Sequence, residues 1–322
     1  MAFTTANERG QTDAALVRRF RQAATKRARA AVFGCVVREH RDAVLGRCAA
    51  RLWPDADAAV AAARDVFLVA YVAMRDPAKL ARPGRLRDWL LGIVVDRGLA
   101  SGLPARADAV NWEILQAGIA DDEPDKPDKP DVWGSATRLA AVRHWLEQIV
   151  ATLPEPRQQM YDVFVRRALD SRGAATELGT YADAARRLRR ENREAILRAF
   201  EVTALAAAEP VDPRDDTIPG CRALRQLLAD GLGDRGMFWA VRRDGVVLAA
   251  DLRLAVSDHM GRCGACAGRR ADCTAQWAPE LLPVLAGAEL NEQVINDLRT
   301  VPEPARPRRW GRAGPGPAGV LA

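Results

Sequence analysis

Histidine is scarce in this sequence, three residues in 322, and aromatic side chains make up only 6% of it. No Ser/His/Asp set, phosphate-cradling glycine loop or paired-acid arrangement can be picked out, so no catalytic residue is assigned and an enzyme is not expected. No apolar run approaches the ~20 residues that a membrane-spanning helix needs, which excludes such a helix and any membrane partner that depends on it. The N-terminus, MAFTTANERGQTDAALVRRF, lacks the apolar stretch of an export signal, so a cytoplasmic location is expected. Cysteine is sparse as well. There are six, two of them in one Cys-x-x-Cys, and without export they are expected to be reduced thiols or metal ligands rather than disulfides.

What remains is 48% hydrophobic and 28% charged, visibly rich in Ala and Arg, a composition that favours helices and suffices to bury cores. The length suggests two or three domains. A formal charge of +6 is modest, and its placement matters more than its sum.

The arginines concentrate in one place. Leu153-Pro154-Glu155-Pro156 opens a helix on whose inner stripe Met160 and Phe164 lie. Asp170 and Ser171 are both suitable N-caps for a short helix, Arg172 to Leu178, which Gly179 stops. A second helix, about Ala182 to Arg193, carries Arg186, Arg187, Arg189, Arg190 and Arg193. Ala174, Ala175, Leu178, Ala185 and Leu188 fall where the two helices must touch, and Thr180 is the misfit in the turn. Short helix, glycine turn and arginine-laden helix is the layout of a helix-turn-helix whose second helix enters a major groove. Tyr181, Asp183, Arg186 and Arg187 are expected at bases or adjacent phosphates, and Arg189, Arg190 and Arg193 as clamps on the backbone.

Residues 13–103 read as a helical block. Asp13 is expected to cap a helix with Leu16 and Phe20 inside; a second helix covers about Ala30 to Leu52. Val60, Ala63, Phe67, Tyr71 and Met74 share one side of a third, and a fourth turns Leu86, Leu90 and Ile93 inward with Trp89 beside them. Residues 104–135 are an acidic, proline-rich tether, and 136–205 hold the helix-turn-helix. Residues 1–12 and the Pro/Gly-rich tail 299–322 are expected to be disordered.

In the last segment, 215–298, His259, Cys263 and Cys266 form His-x-x-x-Cys-x-x-Cys. Spacing of four places His259 and Cys263 on one helical face, and imidazole with thiolates suits tetrahedral zinc. A fourth ligand comes from Cys221 or Cys273.

In order, ALVRRFR, VVREHRDAVLGRCAARL, ARDVFLVAY, RLRDWLLGIVVDRGLA and then the Leu-Pro-Glu helix-turn-helix resemble the extracytoplasmic-function (ECF) sigma factors of the sigma-70 family. The resemblance implies an all-α protein: a region-two helical bundle and a region-four helix-turn-helix domain on a flexible linker, here followed by a small helical zinc module. It implies core RNA polymerase and promoter DNA as partners, transcription initiation as the role, and a regulatory protein as a further partner. By resemblance Asp65, Val66, Phe67 and Tyr71 lie on the polymerase-binding helix, and Arg85, Arg87, Trp89 and Arg97 face the melted promoter. The family's acidic segment before Val-Phe-Leu is eroded here, where Ala58 to Arg64 keep no carboxylate. The cysteine motif resembles that of zinc-binding anti-sigma domains, and also a C-terminal extension of some extracytoplasmic-function sigma factors in which a Cys-x-x-Leu segment precedes it and an Ala-Pro-x-x-Leu-Leu stretch follows. Cys221 to Leu224 and Ala278 to Leu282 match, which implies Cys221 as the fourth ligand and leaves Cys273 spare.

Overall fold

The computed structural model describes residues 12–80, 83–96, 132–208, 221–232 and 248–301. Arg97, and nearly all of the 1–12 segment, the 104–135 tether and the 299–322 tail, lie outside the described residues. Within them there are twelve α-helices and no strand, so the chain is all-α.

Short polar side chains start the first helices. Thr12 caps α1 (Asp13–Gln22), Thr25 caps α2 (Lys26–Leu52) and Asp55 caps α3 (Ala56–Ala73), each accepting from a backbone N–H one turn on. Asp13, expected as the cap, is instead the first helical residue; its Oδ1 lies 2.9 Å from His40 Nε2. A 3-10 turn, Pro83–Arg85, leads into α4 (Leu86–Asp96). The four helices close on Phe20, Phe33, Phe67 and Tyr71, whose rings meet edge-on or tilted at centroid distances of 5.2–6.4 Å.

Helix α5 (Val132–Ala151) and the short α6 (Glu155–Tyr161) precede a π-helical turn, Asp162–Arg166. The helix pair follows: α7 (Ser171–Glu177) and α8 (Ala182–Ala208). Asp170 is the N-cap of α7, its Oδ1 accepting from Gly173 N at 2.8 Å. Gly179 ends it at φ 62°, a left-handed conformation that costs glycine little, and the Thr180 N–H returns to the Ala175 carbonyl at 2.9 Å. Val163, Phe164, Ala174, Ala175 and Ala185 bury together, with Met160, Leu169, Leu178 and Leu188 against them, so the residues read as inward do meet. With no breaker before Ala208, α8 runs 27 residues, about twice the expected length.

That extra length gives α8 a second task. Its continuation joins a core with α5, where Val142, Leu146 and Ile149 meet Ile196, Leu197 and Phe200. Its last turns, at Val202, Leu205 and Ala206, pack on α9 (Arg222–Leu232), α10 (Ala250–Arg262) and α11 (Gly264–Ala275).

The last helix, α12 (Ala278–Leu298), does not close the cysteine module as the division at 215–298 placed it. Every fourth residue from Ala278 through Leu282, Ala286, Leu290 and Val294 to Leu298 is fully buried in the N-terminal core. Leu282, Leu290, Val294 and Leu298 each contribute roughly 1.5–3 kcal/mol by that burial. The flank of α12, at Leu281 and Leu285, enters the α5–α8 core instead. Close approach to α2 needs glycine at Gly46, where a Cβ would stand 2.6 Å from the Pro279 carbonyl oxygen.

Candidate nucleic-acid interface and metal centre

Helix α8 turns two faces outward and inward at helical spacing. Ala185, Arg189, Asn192, Arg193, Ile196 and Phe200 form the inner stripe and are buried. Asp183, Arg186, Arg187 and Arg190 form the outer one, next to Tyr181, which is 85% exposed. Arg186 pairs with Asp183 at 2.8 Å, one turn away. These five side chains make a basic, aromatic-edged ridge at the start of the helix, as a groove-reading helix requires.

Arg189 and Arg193, expected as backbone clamps, are not on that ridge but buried on the inner stripe. Arg189 is 4% exposed. Its Nη1 donates to Glu292 Oε2 at 2.9 Å and its Nη2 to the Leu169 carbonyl at 2.7 Å, and its guanidinium lies 4.8 Å from the centre of the Phe164 ring. Arg193 is paired with Glu289 of α12 and with Asp57 of α3. Both follow from register: Arg189 stands four after Ala185 and seven before Ile196, on the inner stripe. That spacing was readable in the sequence; the acidic partners, from elements about a hundred residues away in the chain, were not.

The promoter-facing set of the N-terminal bundle is divided in the same way. Arg87 is exposed, and Arg85 Nε donates to Asp88 Oδ2 at 2.8 Å. Trp89 is core: 1% exposed, with its indole N–H donating to the Lys79 carbonyl at 2.9 Å. Val66, Phe67 and Tyr71, expected at a partner, are fully buried among the bundle's rings, because α3 turns its aromatic side inward. On the other side of α3 Ala61 and Val72 are exposed, Val72 to 38%, Asp65 is half-buried, and Leu68 is half-buried against the bundle core; of the four expected residues Asp65 alone is not fully buried.

The cysteine module brings four side chains to one point. Cys221 precedes α9, His259 lies in the last turn of α10, Cys263 sits at the break between α10 and α11, and Cys266 lies on the first turn of α11. Cys263 is therefore not on a continuous helical face with His259. It caps α10 through its N–H to the His259 carbonyl, 2.9 Å, and the bend swings Cys266 back to the same point.

Cys221 Sγ lies 3.3 Å from His259 Nε2 and 3.9 Å from Cys263 Sγ, and Cys266 Sγ lies 3.4 Å from His259 Nε2. Tetrahedral zinc with bonds of ~2.0–2.3 Å has ligand–ligand edges of about 3.5–3.8 Å, so the observed edges fit an ion of that size. These four can hold a metal ion. Cys273 stands outside the group, half-buried against the same apolar core.

The Cys263 thiol is drawn below its ordinary range, chiefly by the Cys266 backbone N–H, while burial pushes Cys266 up. A cation would reverse the second effect by holding the thiolate. Arg253, on the same helix as His259, donates to the Thr152 carbonyl at 3.3 Å and ties the module to the end of α5.

No helix among the described residues is long and apolar enough to cross a membrane. Comparison of the chain with family models, with curated proteins and with solved structures finds no match.

Proposed function

We propose that this chain is a cytoplasmic transcription initiation factor of the ECF sigma type, which binds core RNA polymerase and directs it to promoters, with no catalytic activity of its own. The observation that carries the reading is the exposed ridge of Tyr181, Asp183, Arg186, Arg187 and Arg190 at the start of α8, presented by a packed helix-turn-helix. In this reading Arg186 and Arg187 meet base edges, where an Arg–guanine pair discriminates by about 1–3 kcal/mol, and Arg190 meets phosphate. Arg85 and Arg87 serve the melted promoter element, and the outward face of α3, with Ala61, Asp65 and Val72, serves polymerase.

The metal is zinc in a closed four-ligand site, Cys221, His259, Cys263 and Cys266, which supplies structure and no chemistry. Held there, it would brace α9, α10 and α11 on the last turns of α8.

Run-off transcription with purified core polymerase tests the proposal. Initiation from a defined start site that depends on the added chain is expected; absence of both initiation and association with polymerase at low salt overturns it. One observation favours a second reading, a DNA-binding regulator without polymerase: Val66, Phe67 and Tyr71 are inside the bundle. Sequence-selective binding to duplex DNA without initiation is its signature.

A further inference from the structure

Glu292, a largely buried carboxylate, holds an unusual set of donors. Its Oε2 accepts from Ser171 N, Ser171 Oγ and Arg189 Nη1, each at 2.9 Å. Ser171 is 1% exposed and Arg189 4%. One turn further along α8, Arg193 is gripped by Glu289 and Asp57. Guanidinium, hydroxyl and amide N–H around one anionic oxygen is also the donor set that nucleic-acid phosphates take.

All three carboxylates come from outside the helix-turn-helix: Glu289 and Glu292 from α12, Asp57 from α3. The seam they make is incompletely satisfied. Arg189 Nε, Arg193 Nε and Asn192 Oδ1 are buried with no hydrogen-bond partner among the described residues. Buried ion pairs roughly break even against desolvation, and unsatisfied polar atoms lower the balance further, so such a contact is open to exchange for a better anion.

We propose that Ser171, Arg189 and Arg193 form a phosphate-binding site for duplex DNA, and that Glu289, Glu292 and Asp57 occupy it as internal competitors in the arrangement described here. The inference rests on the DNA-binding reading of α8 and adds a second, covered half to its basic ridge. DNA engages Arg186, Arg187 and Arg190 first. Parting of the helix-turn-helix from the Glu289–Glu292 seam, with the apolar stripe of α12 still seated in the N-terminal core, then hands the two covered arginines from carboxylate to phosphate, so the closed chain binds DNA more weakly and with fewer ionic contacts than the open one.

Salt-dependent fluorescence anisotropy of the full-length, zinc-loaded chain on a labelled duplex of scrambled sequence decides this. Each neutralised phosphate steepens the slope of log K against log salt by ~0.9, so Glu289→Gln with Glu292→Gln is expected to steepen it by about 2. The same double variant is expected to tighten binding about 5–150-fold, the usual range for coupled contacts. Adding Arg189→Ala and Arg193→Ala to it should cancel both gains. Should the double variant not fold by circular dichroism, Asp57→Asn takes its place, since Asp57 has a 63% exposed side chain, and a slope change of about 1 is then expected. A folded variant whose affinity and slope equal those of the unaltered chain overturns the inference and leaves the DNA-binding reading standing. No duplex binding by any form at low salt overturns both.

Discussion

Substituting Gly46 with alanine puts two physical arguments in opposition. Gly46 lies in the last third of α2, still within the helix, and in an isolated helix glycine-to-alanine stabilises by about 0.5–1 kcal/mol because it restricts the unfolded chain. In the folded protein the new methyl would stand 2.6 Å from the Pro279 carbonyl oxygen, 3.4 Å from its carbonyl carbon and 3.6 Å from its Cα. All three are backbone atoms, so nothing can swing aside, and α12 must retreat from α2 along part of its buried stripe. Overpacking of this kind costs about 1–3 kcal/mol, more than the propensity gain, so the net change is destabilising.

Two companion substitutions set the scale. At Gly34 the nearest neighbour is the tip of the Ile295 side chain at 2.9 Å, which can rotate, so Gly34→Ala is expected to fall between neutral and mildly destabilising. At Gly268, in α11, nothing lies within 4 Å, and Gly268→Ala should stabilise by the propensity term. Urea unfolding followed by circular dichroism ranks the three. A Gly46→Ala chain as stable as the parent, or more stable, would falsify the docking of α12 on α2 and leave the N-terminal bundle a body of its own.

Three further outcomes are expected. His259→Ala and Cys266→Ser should each lose stoichiometric zinc, measured by elemental analysis of the purified chain, while Cys273→Ser keeps it; retention in the first two or loss in the third refutes the ligand set. Arg186→Ala should weaken DNA binding with little change in stability, its side chain being half exposed, whereas Arg193→Ala should destabilise by on the order of 3 kcal/mol because it leaves Glu289 without its cation in a closed seam. Equal stability of the two variants in urea would contradict that division. Burial raises the Glu201 carboxyl above its ordinary value, against the opposing pull of Arg270 and Arg198, so the native state binds the extra proton. Its contribution is full below the ordinary glutamate range and is lost as pH rises through the raised value. Stability measured across that window should therefore fall more steeply for the parent than for Glu201→Gln.

Much of the local structure was written in runs of a few residues. Asp55 and Asp170 start helices because a short polar side chain reaches a free N–H one turn on, and Gly179 stops one because it alone adopts a left-handed turn cheaply. The apolar spacing of Met160, Phe164, Ala174, Ala185 and Leu188 likewise needed only the period of a helix to foretell which sides would meet. The His-x-x-x-Cys-x-x-Cys spacing marked three of the four side chains that could hold a metal ion, although the helix break at Cys263, not a continuous helix, brings them together.

Tertiary structure decided what each face is covered by. A period shows that one side of α3 is apolar, but only packing against α1 and α2 sends Phe67 and Tyr71 to the interior and leaves Ala61 and Val72 exposed with Asp65 half-buried. Arginine reads as solvent-facing in a sequence because its charge is costly to bury alone. Arg189 and Arg193 are buried since α12 delivers Glu292 and Glu289 to them, a pairing set by how α12 wedges between two cores and by no signal within α8 itself. Caps and turns depend on neighbours within one turn of chain, whereas the fate of a charge depends on which distant element arrives to meet it.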